Sequence, residues 1–86
     1  MSQMSSIRTL FFGRPADRLG GERMVDGPPE GMTLADLRRR IAVSAEGGAI
    51  LLDPGIRSAV DGVQCDDEAW VRPGQEAAFF SIFSGG

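Results

Sequence analysis

The sequence contains no lysine, no histidine and no tyrosine, and it has a single cysteine. Each absence removes a class of chemistry. One thiol cannot close an intrachain disulfide, and without histidine the Cys/His zinc sites are excluded. General acid–base catalysis draws on His, Lys, Tyr, Asp or Glu with a tuned pKa, and covalent catalysis needs a nucleophile beside a base. Here Cys65, the hydroxyls and the carboxylates have no His or Lys to activate them. A self-sufficient hydrolase or transferase is therefore disfavoured, and no metal site is expected. No apolar run approaches the roughly 18 residues that span a bilayer. Residues 1–6 carry neither the basic stretch nor the apolar run of a signal peptide. A soluble, cytoplasmic protein without a membrane partner is expected, and a lone thiol suits a reducing compartment. Excess positive charge is missing too: the formal net charge is −3, which argues against general affinity for nucleic acid.

What remains is 86 residues, enough for one domain. A domain this small buries only about 60% of the surface its unfolded chain exposes, so its stability margin is thin. Ile7-Arg8-Thr9-Leu10-Phe11-Phe12-Gly13 reads as a strand, with Ile7, Thr9 and Phe11 on one face and Arg8, Leu10 and Phe12 on the other. The first face should meet the core, which leaves Phe12 for exposure. Residues 14–21 read as a loop with room for a short helical turn, Gly20-Gly21 being a turn without the strand–helix context of a phosphate loop. Residues 22–26 form a weak second strand, and Gly27-Pro28-Pro29-Glu30-Gly31 breaks it.

Thr33-Leu34-Ala35-Asp36 fits a capping box with Asp in place of Glu. The Thr33 hydroxyl can accept from an orphan amide, and Asp36 suits the positive end of the helix dipole. Leu34, Leu37 and Ile41 then recur at helical spacing, which predicts a helix from Leu34 to Ser44 ended by Gly47-Gly48. Arg38 to Arg40 fall largely on its outer side and read as a solvated face, with an acidic partner as the other reading. An apolar stretch follows over 49–55 and stops at a turn. Ile56 to Val60 alternates as a strand, Asp61-Gly62 signals a two-residue hairpin, and Val63 to Cys65 begins the return. Asp66-Asp67-Glu68 is an acidic turn. Arg72-Pro73-Gly74-Gln75 is a tight turn before a last strand over 76–83.

One helix and four or five strands must share one core. The economical solution is an α+β layer, with the helix across one face of a mixed sheet. The two Phe-rich strands, first and last, are plausible neighbours at its centre. The second face of the sheet has no helix left to cover it.

The sequence stops at Ser84-Gly85-Gly86, directly after an apolar strand. A terminal glycine carbonyl is unhindered, and a diglycine can thread a narrow channel and adopt backbone angles closed to other residues. A carboxylate is a poor electrophile until an activating enzyme converts it to an acyl adenylate. A sulfur donor can then displace AMP and leave a thiocarboxylate, a nucleophile tethered to a protein and brought to a second active site by proximity.

These stretches together, with Val60-Asp61-Gly62 and Arg72-Pro73-Gly74-Gln75-Glu76-Ala77-Ala78-Phe79-Phe80 before the diglycine, resemble the molybdopterin synthase small subunit, a family of ubiquitin-like sulfur carriers. The resemblance runs over nearly the whole chain after Ser6. It implies the β-grasp fold over residues 7–83, a disordered segment over 1–6 and a flexible tail of Ser84, Gly85 and Gly86. It implies that Gly86 is adenylated by a ubiquitin-activating-type enzyme using ATP and then thiocarboxylated by a sulfur donor protein. It also implies docking on the large catalytic subunit through an apolar sheet face that Phe12 and Phe80 match, no bound cofactor, and sulfur delivery to cyclic pyranopterin monophosphate for the molybdenum cofactor. Catalytic side chains would belong to the large subunit. The family commonly has Pro-Pro and then Val where this chain has Ser81-Ile82-Phe83. Without the prolines, two outcomes are open: the final strand runs further, or the tail is looser.

Other readings stand beside this one. A carrier for thiamine synthesis or tRNA thiolation, or a covalent modifier joined through Gly86 to target lysines, would use the same terminus. An interaction module would not use it at all. Cys65 reads as a small half-buried hydrophobe, with a sulfur relay as its alternative. Asp61, Asp66, Asp67 and Glu68 fit no calcium loop. Trp70 reads as a core or edge anchor.

Overall fold

The computed structural model describes residues 5–81. The first strand, β1 (Ser5–Phe12), alternates as its sequence requires: Ile7, Thr9 and Phe11 are buried while Arg8 and Phe12 are exposed. It opens two residues before the expected Ile7, because Ser5 and Ser6 pair with Gly27 and Asp26 of β2 (Glu22–Gly27). The Ser6 hydroxyl also donates to the Asp26 carboxylate at 2.9 Å. Between the two strands the expected loop is a short helix, α1 (Arg14–Leu19), with Pro15 in its first turn. There the missing N–H costs nothing.

After β2 a two-residue strand, β3 (Met32–Thr33), leads straight into α2 (Leu34–Ser44). The cap forms as its pattern requires: the Asp36 amide donates to Thr33 Oγ1 at 3.1 Å. Leu34, Leu37 and Ile41 are buried. α2 ends at Ser44 as expected, but Gly47-Gly48 is not what ends it. Ala45 closes the helix in extended backbone, and its amide donates to the Ile41 carbonyl at 2.9 Å. The glycine pair instead opens a 3-10 turn over Gly48–Leu52, with Gly47 at φ 83°. Gly48 lies so close to the Ile41 carbonyl that a Cβ there would collide with it. The glycines therefore let the chain double back on the helix rather than cap it.

The chain continues through β4 (Ile56–Val60), β5 (Val63–Cys65), β6 (Trp70–Val71) and β7 (Glu76–Ser81). Asp61 and Gly62 turn the β4–β5 hairpin at φ 50° and 82°, the paired left-handed angles that match strand twist. The main sheet runs in the order β2-β1-β7-β4-β5. β1 and β7 are parallel and central, and the other pairs are antiparallel. β3 and β6 form a separate two-stranded ladder. One core joins Ile7 and Phe11 of β1, Leu34, Leu37 and Ile41 of α2, Leu51, and Phe79 of β7. The Phe11 and Phe79 rings stack with centroids 6.3 Å apart. This is the β-grasp, ubiquitin-like fold: a five-stranded mixed sheet with one main helix on one face.

Arg38 corrects the reading of the arginine run. It is buried, whereas Arg39 and Arg40 are exposed. Its Nη1 donates to the Leu51 carbonyl at 2.6 Å and its Nη2 to Asp67 Oδ1 at 2.9 Å. The guanidinium lies 5.1 Å from the centre of the Phe79 ring. Arg38 follows Leu34 by four positions, so it shares the buried stripe and not the outer face.

Candidate functional site

The face of the sheet opposite α2 is uncovered by any other element among the described residues, and the period of two decides what it displays. From β1 it receives Arg8, Leu10 and Phe12, and from β7 Glu76, Ala78 and Phe80. Parallel pairing sets Phe12 beside Phe80 and Leu10 beside Ala78. From β4 it receives Arg57 next to Phe80 and Ala59 next to Ala78. Phe12 is 52% exposed, while Leu10, Ala78 and Phe80 are half-buried. The result is an apolar stripe across three strands with Arg57 at its margin.

At the other end of these strands the face is charged. Arg8 bridges Glu22 at 3.0 Å and Glu76 at 3.4 Å, across β2, β1 and β7. A strong polar boundary on one side and an apolar stripe on the other is the pattern of a docking surface.

The stripe lies at the last described residues of β7. Ser81 follows Phe80 and pairs with Ile56. Its hydroxyl accepts from the Arg14 amide at 3.2 Å. Gly13, at φ 70°, passes so close to that hydroxyl that a Cβ would strike it. Arg14 is held in turn by Asp53 at 3.0 Å. The Gly55 amide and then Arg14 hold the Asp53 carboxyl below the ordinary carboxylate range. Ser81 thus belongs to the sheet. Ser84, Gly85 and Gly86 lie outside the described residues.

The remaining candidates resolve into structural roles. Cys65 is half-buried against the core. Burial pushes its thiol up from the ordinary value, with Asp66 and Asp67 adding to the effect. That is the reverse of what an activated sulfur nucleophile requires. In the acidic turn, Asp66 accepts from the Glu68 amide at 3.1 Å and Asp67 accepts from Arg38. Asp61 accepts from the Glu76 amide at 2.9 Å and from Gln75 at 3.2 Å. Trp70 is an edge anchor, with its indole N–H donating to the Glu30 carbonyl at 2.7 Å. The candidate site is therefore an open apolar face whose strand β7 is described as far as Ser81. Arg57 and Ala59 were not singled out from the sequence as members of it; the hairpin signal at Asp61-Gly62 fixes β4 but not its neighbour.

The fold and this face define a class, the small ubiquitin-like proteins, and solved structures agree. The chain is similar to the solution structure of the Haloferax volcanii HVO 2177 protein, at 16% identity and TM-score 0.78, covering 100% of this chain and 91% of that one. It is similar to SAMP1 from Haloferax volcanii, at 20% identity and TM-score 0.70, covering 94% and 99%. It is similar to Urm1 from Trypanosoma brucei, at 22% identity and TM-score 0.65, covering 100% of both. No curated protein matches the sequence. The model of the ThiS family matches residues 9–86. The chain belongs to the ThiS family, a family of ubiquitin-like sulfur carriers.

Proposed function

We propose that this ThiS-family chain is the sulfur-carrying small subunit of a molybdopterin synthase. The observation that carries the reading is the Phe12–Phe80 stripe on the open sheet face, at the last described residues of β7. In this reading the folded body is a handle and the Gly86 carboxyl is the reactive group. A ubiquitin-activating-type enzyme docks on the stripe and uses ATP to adenylate Gly86, releasing pyrophosphate. A sulfur donor displaces AMP and leaves the thiocarboxylate. The same stripe then docks on the large subunit, whose side chains do the chemistry. The thiocarboxylate sulfur attacks a side-chain carbon of the pterin precursor, the carbon–oxygen bond there breaks and its oxygen departs, and hydrolysis of the resulting acyl–sulfur bond returns the Gly86 carboxylate and leaves the sulfur on the pterin.

Intact-mass measurement after incubation with the activating enzyme, ATP and a sulfur source tests this. One oxygen-for-sulfur exchange at Gly86 is expected, with none in a chain lacking Gly86. No exchange, or exchange that persists in the deletion, overturns it. Addition of the large subunit and cyclic pyranopterin monophosphate should then consume the thiocarboxylate. If it does not, the chain serves another pathway, such as thiamine synthesis or tRNA thiolation.

A second reading is favoured by the fold of a protein described as small archaeal modifier protein 1, at 16% identity and TM-score 0.69. A covalent modifier would form an isopeptide between Gly86 and a lysine of another protein. Having no lysine, the chain could not extend itself through Lys linkages. Recovery of Gly86–lysine conjugates from cells separates this reading from the first.

A further inference from the structure

The open face does not exhaust the exposed apolar surface. A groove of about 570 Å³ runs between β2 and α2, on the side of the sheet that carries the helix. Val25, Ile41 and Val43 supply apolar lining, and Arg23, Arg39 and Arg40 supply charge. Val43 is 88% exposed, and Met24, whose side chain lies with Arg8 on the open face, borders the groove through its backbone. A chain of net charge −3 thus gathers three of its nine arginines along one groove. Asp36 pairs with Arg39. Arg23 and Arg40 have no ion-pair partner among the described residues.

The groove is bounded by a strand edge that is unpaired among the described residues. β2 is the outermost strand of the sheet. The Phe11 amide donates to the Gly21 carbonyl at 3.0 Å. By alternation, Arg23 and Val25 therefore turn their backbone groups towards Thr9 and Ile7 of β1. Glu22, Met24 and Asp26 turn theirs outward. An edge of this kind is a template for a further strand.

We propose that the β2–α2 groove binds an extended acidic–apolar peptide, which adds to the β2 edge as a sixth strand. Backbone groups of the peptide pair with Met24 and its outward neighbours. Alternate side chains drop into the groove, apolar ones onto Val25 and Val43, carboxylates between Arg23, Arg39 and Arg40. A phosphate backbone is a poorer fit, because the lining is partly apolar. A second copy is also a poorer fit: pairing two β2 edges would bring two sets of arginines together. Asp26 itself is engaged by Ser6. The site is separate from the Phe12–Phe80 stripe and needs nothing from Gly86.

The test is an NMR titration of the full isotope-labelled chain with an acetylated, amidated octapeptide in which Val, Val, Glu and Glu alternate with threonine. Saturable shifts should centre on Met24, Asp26 and Val43, with new protection of the Met24 amide against exchange. The affinity should fall on raising salt. Arg23→Glu with Arg40→Glu should weaken binding roughly tenfold, since two favourable contacts become repulsive. Both positions are exposed, and unchanged Phe79 signals verify the fold of the variant. The chain lacking Gly86 should bind equally well, so failure of the sulfur-carrier reading leaves this result intact. The proposal is overturned if no shifts saturate at millimolar peptide, or if they map to Phe12 and Phe80. It is also overturned if replacing Glu by Lys in the peptide leaves the affinity unchanged, or if the free chain already protects the Met24 amide by self-association.

Discussion

Replacing Arg38 by alanine should cost about 3 kcal/mol of folding free energy, and the structure supplies the parts of that figure. The Leu51 carbonyl accepts from Arg38 Nη1 at 2.6 Å in a buried setting. Leaving such a carbonyl unpaired costs about 1–3 kcal/mol. The guanidinium over Phe79 at 5.1 Å contributes up to about 2 kcal/mol when desolvated. The ion pair adds less. Asp67 is 48% exposed and recovers water when its partner is removed, so its share is below about 1 kcal/mol. Against these gains stand the desolvation of the charge itself and a buried Nε with no acceptor. A chain of this length has a total stability of about 4–13 kcal/mol, so the loss is a large fraction. At about 4–8 °C per kcal/mol for a small domain, the melting temperature should fall by roughly 15 °C. Urea unfolding followed by Trp70 fluorescence should show a lower midpoint with the slope unchanged. Asp67→Asn should lose about 1 kcal/mol or less. Arg38→Met should recover part of the loss, because it keeps the stem but not the bond to Leu51. A change below about 0.5 kcal/mol for Arg38→Ala would refute the assignment of Arg38 as the pin between α2, the 3-10 turn and β7.

The docking stripe gives a complementary expectation. Phe12 is 52% exposed, so a partner can cover roughly 100 Å² of a ring that offers about 200 Å². At about 25 cal/mol per Å² that is ~2.5 kcal/mol. On the proposed function, Phe12→Ala should weaken binding to the activating enzyme or the large subunit by tens of fold in calorimetry while the urea midpoint moves little. Equal affinity would remove the stripe from the interface. Gly31→Ala should destabilise by about 2 kcal/mol or more, since Gly31 sits at φ 92° and an added Cβ would meet the Val71 carbonyl. The loss should be visible as faster exchange of β3 and β6 amides. Asp53 is held below the ordinary carboxylate value by the Gly55 amide and then Arg14. Its contribution is present above the unfolded value of about 3.9 and is lost as pH falls through the lower folded value. Asp53→Asn should flatten the acid limb of a stability–pH curve in that window. Cys65, with its thiol raised by burial, should react with iodoacetamide at pH 7.5 more slowly than a free cysteine peptide, and become reactive in urea.

Much of the fold was legible because its signals are local. The Thr33 cap, the 34–37–41 spacing and the Asp61-Gly62 turn each act within a few residues, and α2 and the hairpin appear where those signals place them. The alternation in β1 likewise separates Phe11 from Phe12. The features not read depend on distant partners. β3 and β6 are two residues each, too short for any periodicity, and their pairing rests on the approach of Gly31 to Val71. Arg38 was taken with its neighbours as one charged run, since charge outweighed position on the helix. Its acceptor Leu51 comes from a turn that the apolar stretch over 49–55 did not announce. At the candidate site, Phe12 and Phe80 were visible as aromatic residues of two strands. The two strands are central neighbours as expected, but the parallel register that sets Phe12 beside Phe80 is encoded by nothing local.

The central place of β7 has a mechanical consequence. It has β1 on one side and β4 on the other, so tension on whatever follows Ser81 runs along the strand and is shared by two rows of backbone bonds strained together. Such loading in shear resists far more than peeling of an outer strand, where bonds break in turn. A partner that grips the end of this chain can therefore tug, slide over and release it while the body stays folded.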